Sequence, residues 1–327
     1  MEERTLGPTG RKVGVVGLGA WQLGADWGEV AEDDALAVLD AALDGGVTFV
    51  DTADVYGDGR SERLVGRAVR ERGAGAPFVA TKMGRRVEQR PELYTREHFL
   101  EWNERSRRNL GVDTIDLVQL HCPPPAVYAD DAVFAALDEL VERGHVAHYG
   151  VSVETEAEAL AAIARPRVAS VQIVLNLLRR KPLERVLPAA REAGVGIIAR
   201  VPLASGLLSG RYDAQTTFAA DDHRSFNRHG EAFDVGETFA GVPFEAGLAA
   251  VDALRGIVPE GVAMAQFALR WIVDQPGVTT VIPGARSPQQ ARGNVAAAAL
   301  APLSDEQLAA VAEVYEAHVR EHVHDRW

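Results

Sequence analysis

Four side chains with chemical potential stand at or just beyond the ends of apolar runs in this sequence. Asp51 closes VTFVD, Lys82 closes PFVATK and His121 closes TIDLVQLH, while Tyr56 follows Asp51 in a loop. Brought together, a carboxylate, an ammonium, an imidazole and a phenol can protonate a carbonyl oxygen that is receiving hydride. The charge developing on that oxygen needs a proton donor and a dipolar pocket. Tyrosine, with an ordinary pKa of about 10, is a reluctant acid. An ammonium at Lys82 is expected to favour the phenolate and lower that value, with Asp51 holding Lys82 charged and in place and His121 orienting the substrate oxygen. Taken singly, each residue has an everyday alternative: a loop acceptor for Asp51, a solvated cation for Lys82, a structural imidazole for His121, simple packing for Tyr56. Three successive apolar runs ending in Asp, Lys and His point to a shared site.

The elements that must position them are legible as an alternation. Eight short apolar runs recur: VGVVGLG near 13, VTFVD near 47, PFVATK near 77, TIDLVQLH near 114, VAHYGVS near 146, VASVQIV near 168, VGIIAR near 195 and VTTVIPG near 278. Helix-length amphipathic segments lie between them. EDDALAVLDAALDGG gathers Leu36, Val38, Leu39 and Leu43 on one side and ends at Gly45 and Gly46, and TREHFLEWNERSRRNLG opens on Thr95 as a cap. Continuous apolar strands with helical crossovers predict a parallel sheet, and eight units predict one (β/α)8 TIM barrel spanning residues 1–327 as a single domain. Polar residues at strand C-terminal ends then face one mouth. Two stretches depart from the repeat. RTLGPTGRKV reads as a β-hairpin plugging the barrel floor, and residues 201–243, after strand seven, form a long loop placed to fold over a ligand.

Composition narrows the partners. Basic side chains number 34 against 47 acidic, a formal charge of -13 that disfavours nucleic acid and anionic lipid. With Cys122 as the single cysteine, no internal disulfide can form, which suits a reducing cytoplasm. The opening MEERTLGPTGRKVG lacks the pattern of an export signal, and no run reaches the roughly 18 apolar residues of a membrane span, so a cytoplasmic protein is expected.

The stretches that carry these residues resemble the aldo-keto reductase family. FVDTADVYGDGRSERLVGRAV is similar to the family's Asp and Tyr segment, FVATKMG to its Lys strand and DLVQLHCPP to its His strand, and the likeness runs from GLGAWQLG to IPGARSPQQARGN. IIARVPLASGLLSG is similar to the bacterial stress-protein and channel-β-subunit-like branches. The resemblance implies NADP(H) extended across the barrel mouth without a Rossmann domain, and no GxGxxG opens a helix after a strand here. It further implies nicotinamide contacts from Ser152 and Gln172, assisted by Asn176, and cofactor contacts from Trp21, Asp51, Pro202, Leu203, Gly206 and Leu208. Arg200 stands where many relatives place a stacking aromatic; it can stack by its guanidinium plane or reach a phosphate. In PGARSPQQARGN, Gly284 permits close backbone approach, Arg286 suits a 2'-phosphate and Ser-Pro opens a helix whose free amides favour anions. Gln290 and Asn294 match positions at the adenosine end, Gly293 replaces an acidic residue common in relatives, and Arg292 reads as solvated.

For the substrate, a carbonyl compound of moderate size, the expected walls are Trp21, Tyr56, Met83 and His121, with Phe218, Phe226 and Phe233 from the long loop. Sugars, steroids, quinones and small aldehydes all suit such a pocket, and the residues favour neither monomer nor oligomer. Two other readings exist. A regulatory subunit could bind NADP(H) chiefly to sense it. A metal-dependent hydrolase would need clustered ligands, yet strand one ends in GLG and the histidines are dispersed, so no metal is expected.

Overall fold

The computed structural model describes residues 1–24 and 30–327. The chain opens with the antiparallel strands β1 (Glu3–Thr5) and β2 (Lys12–Gly14). Eight parallel strands follow: β3 (Leu18–Gly19), β4 (Phe49–Asp51), β5 (Phe78–Met83), β6 (Ile115–His121), β7 (Val146–Ser152), β8 (Val168–Val174), β9 (Gly196–Arg200) and β10 (Val278–Val281). Between them run α1 (Glu32–Asp44), α2 (Arg60–Arg72), α3 (Arg96–Leu110), α4 (Asp131–Glu142), α5 (Glu156–Ile163) and α6 (Val186–Ala193). The β9–β10 crossover carries α7 (His223–Phe226), α8 (Phe244–Arg255) and α9 (Met264–Val273); α10 (Pro288–Ala296), α11 (Asp305–His318) and α12 (Arg320–Val323) complete the order.

Each strand pairs with its sequence neighbour, and parallel bridges Val16 to Val281 and Gly19 to Gly284 join the first strand to the last. The expected barrel is therefore present. The run near 13 divides into two elements because its hydrogen bonds change partner: Val15 N donates to Glu2 in the hairpin, and Gly17 N donates to Val281 O in the barrel. The hairpin seals the floor as expected. Its Leu6 and Val13 are wholly buried in an inner cluster with Phe49, Phe78, Ala80, Leu117, Ala169, Ile198 and Ile282. A second, larger core lies between strands and helices.

Period-two alternation along the strands decides which side chains reach the mouth. Phe78 and Ala80 point inward, so Lys82 does too, at the open end of β5. The caps operate as expected: Thr95 Oγ1 accepts from His98 N at the start of α3, and Gly45 closes α1.

Candidate active site

Register places the chemistry in one layer. Asp51 pairs with Ala80, Lys82 with Gln119, His121 with Ser152, and Ser152 with Gln172, so inward side chains from β4 to β8 converge at the strand C-terminal ends. Lys82 Nζ is ion-paired with Asp51 Oδ1 and donates to Thr52 O at 2.9 Å and to the Tyr56 hydroxyl at 3.2 Å. Asp51 Oδ2 in turn accepts from Gln172 Nε2 at 2.8 Å and Gln119 Nε2 at 3.1 Å. The Tyr56 ring meets the His121 ring edge-on at 6.0 Å between centroids.

The first turn of α2 anchors the Tyr56 loop. Thr52 Oγ1 donates to Ser61 Oγ, which donates to Ala20 O, both at 2.8 Å, and Glu62 accepts from Thr81 and Asn109. Gly57 has φ +56°, and a Cβ there would stand 2.0 Å from Gly24 O, so the turn that aims Tyr56 admits only glycine.

The electrostatics differ from expectation in one respect. Burial raises the Tyr56 pKa above its ordinary 10, and this outweighs the lowering by Lys82, because the phenolate would stand desolvated. Lys82 opposes burial through Asp51 and Tyr56 and is raised, hence firmly charged. Burial, then Arg85, Lys82 and Arg200, hold His121 well below its usual range, so its imidazole is neutral.

Two cavities meet at this layer. The larger, about 670 Å³, runs from Trp21, Asp51, Tyr56 and His121 past Ser152 and Gln172 at the strand ends. It continues along Arg200, Pro202, Leu203 and Gly206 to Gly284, Arg286, Gln290 and Asn294. At that far end Ser287 Oγ accepts from Gln290 N to cap α10, and Asn294 Nδ2 donates to Gly284 O at 3.1 Å. The smaller, about 520 Å³, has apolar walls at Trp21, Val55, Phe226 and Phe233 and polar ones at Gln89, Arg85 and Glu237. Tyr56 and His121 line both.

Several expected contacts are corrected. Met83 does not wall a pocket: one residue beyond Lys82, it points outward and is wholly buried in the strand-helix core. Leu208 is buried and lines neither cavity. Asn176 is turned to the backbone, donating to Val201 O and accepting from Leu178 N. Phe218 packs on Tyr212, Phe239 and Phe244. Arg200 lines the larger cavity and carries ion pairs that its sequence position did not reveal, with Glu154 at 2.7 Å and Glu237 at 3.5 Å.

Residues that the sequence did not single out complete the site. Gln119 lies two positions before His121, a spacing that alternation alone could have flagged. Arg211, Tyr212 and Arg224 of the long loop line the larger cavity. Arg85 reaches Glu237 at 3.1 Å and Glu154 at 3.4 Å, closing a part-buried chain of alternating charge with Arg200. Among the described residues, Cys122, Glu154 and Glu237 bring ligand atoms within 4.8 Å of one another, but the positive charge those carboxylates face is supplied by Arg85 and Arg200. Burial raises the Glu154 carboxyl, whereas Arg85 and Arg200 overcome burial at Glu237 and lower it.

Comparison with known proteins places this architecture. The model of the Aldo/keto reductase family matches residues 15–316, so the chain belongs to that family. An aldo-keto reductase of Bacillus subtilis, YhdN, is 31% identical over 296 residues, covering 89% of this chain and 86% of that one. The solved glycerol dehydrogenase of Gluconobacter oxydans superposes with a TM-score of 0.78 at 31% identity, over 98% of this chain and 96% of its own. An aldo-keto reductase from Klebsiella pneumoniae, solved in complex with NADPH, gives 0.70 at 25% identity over 96% of both. Among the described residues no helix is long and apolar enough to cross a membrane.

Proposed function

We propose that this protein reduces the carbonyl of a small aldehyde or ketone to an alcohol with NADPH, reversibly, using Tyr56 as the acid. The observation that carries the reading is that Tyr56 and His121 line both cavities at their junction, so one chamber can hold the cofactor and the other the substrate. The residues present suit the cofactor. Ser152 and Gln172 offer polar groups at the deep end, Gln22 Oε1 is a buried acceptor without a partner among the described residues, and Arg286 with the capped start of α10 offers cationic and amide donors at the far end. Arg211 also lines this cavity as a cation. Bound there, the dihydronicotinamide supplies the hydride.

The chain's own residues handle the proton. The phenol of Tyr56, kept protonated by burial, donates to the carbonyl oxygen as hydride arrives at carbon, yielding the alcohol and a phenolate. Lys82 Nζ, 3.2 Å from the Tyr56 hydroxyl oxygen, stabilises the phenolate, and Asp51 keeps the ammonium aimed while Gln119 and Gln172 fix Asp51. His121, neutral, orients the carbonyl by hydrogen bonding and adds no competing charge. The test is an NADPH fluorescence titration followed by a carbonyl panel. Saturable binding with turnover of at least one aldehyde is expected; tight binding without turnover on any carbonyl would replace catalysis by a sensing role.

A further inference from the structure

We propose that Trp327 is a positioning residue of the substrate pocket, latching residues 234–241 in place as its wall. The inference rests on the reductase reading above, since it assigns the smaller cavity to substrate. Asp234 and Glu237 line that cavity, and Phe233 precedes them. The segment is tied inward by Glu237, through Arg85 and Arg200, and by Ser205 of the cofactor side, whose Oγ donates to Glu237 O and accepts from Phe239 N, both at 3.1 Å.

Its outer tie is Trp327. The indole Nε1 donates to Asp234 Oδ1 at 3.1 Å and lies 3.3 Å from Oδ2, and the side chain is buried to 8% exposure. The Arg179 guanidinium covers the ring at 3.9 Å and donates to Glu154 O at 2.7 Å, so the indole is itself fixed against the pocket's charged wall. Two glycines make room for it. A Cβ on Gly241, at φ +81°, would stand 2.3 Å from the indole, and one on Gly236 would stand 3.1 Å from it. Backbone and ring are thus fitted to each other, and the same short segment carries both the indole's acceptor and a wall of the site. Losing the indole leaves Asp234 with its local bond from Gly236 N at 2.7 Å and loosens that wall without touching the Tyr56 layer or the α10 end of the cofactor cavity.

The experiment compares wild type with Trp327→Phe, which keeps a ring and removes the donor, and Trp327→Ala. Steady-state kinetics with the best carbonyl of the panel, NADPH titration, thermal unfolding and hydrogen exchange over 234–241 are measured on each. In Trp327→Phe the KM for carbonyl should rise about fivefold, part of the 10-fold or more that one charge-assisted hydrogen bond carries, since the bond holds the wall and does not touch the substrate. The Trp327→Ala variant should show a larger rise, while kcat and NADPH affinity change by less than about twofold in both. Exchange over 234–241 should quicken in the order wild type, Phe, Ala. An unchanged KM in both variants, or a loss confined to melting temperature, overturns the assignment. A wild type that turns over no carbonyl refutes the reductase reading; exchange then still decides the latch, which fails if 234–241 is as protected in Trp327→Ala as in wild type.

Discussion

At the scale of single residues, the site works by keeping a phenol neutral and an ammonium charged a hydrogen bond apart. Burial raises Tyr56 above its ordinary pKa, and burial with nearby cations lowers His121 well below its own. A lowered histidine is already deprotonated at neutral pH, and a raised tyrosine still holds its proton there. The profile of kcat/KM for carbonyl reduction should therefore show no limb near the ordinary histidine value and stay level between about pH 6.5 and 9. A limb near 6.5 that vanishes in His121→Asn would show that the imidazole titrates in the working range. Much of this layer was legible in the sequence. Asp51, Lys82 and His121 each end an apolar run, and a parallel barrel directs such residues to one mouth. Met83 is the exception, because alternation sends it to the side opposite Lys82, into the strand-helix core.

At the scale of elements, the two ends of the large cavity depend on different supports. The capped α10 and Arg286 form its far end, where Arg286 is exposed and stands beside amides favourable to an anion. Arg286→Ala should weaken NADPH binding by about 10-fold or more while leaving NADH binding nearly unchanged, the scale of a lost charged hydrogen bond. Fluorescence titration with both cofactors measures this; equal losses would remove Arg286 from the 2'-phosphate. Near the Tyr56 loop, Asp54 is wholly buried, its carboxylate oxygens accept no side-chain hydrogen bond among the described residues, and burial with Glu62 nearby raises it to about 7 against Arg86, Arg105 and the Val55 amide. Because the folded value exceeds the unfolded one, its protonation favours the fold at acid pH and that contribution is lost as pH rises through about 7. Asp54→Asn should then stabilise the protein by roughly 1–3 kcal/mol more at pH 8.5 than at pH 5, with little effect only below about pH 3.8, read by urea unfolding. Equal stability at both would mean Asp54 has a partner when ionised. The charged chain Arg85, Glu154, Arg200, Glu237 was not legible, since four separate segments contribute one residue each and no local pattern links them.

At the scale of the whole molecule, a sealed floor supports an open mouth. Gly7, at φ +50°, brings the hairpin so close to the barrel that a Cβ would stand 2.2 Å from Ala169 O. Gly7→Ala should cost about 2 kcal/mol or more in urea unfolding through strain and displacement of Leu6. A near-neutral effect would show that the plug tolerates movement. The eight-unit alternation made the barrel legible from apolar runs alone, and the hairpin from its Pro-Thr-Gly turn. The long loop was legible as an interruption placed over the mouth but not in its internal contacts, which are side chain to distant backbone, as at Ser205, or side chain to distant side chain, as at Trp327, and lack periodicity.

Proton donation by Tyr56 at the junction of the two cavities is the step on which the proposed reduction depends. Single-turnover reduction of an aldehyde by NADPH in Tyr56→Phe tests it most directly, with cofactor affinity measured on the same preparation. Loss of about 10²–10⁴ in rate with NADPH affinity preserved is the predicted result; a rate within a few-fold of wild type would contradict it.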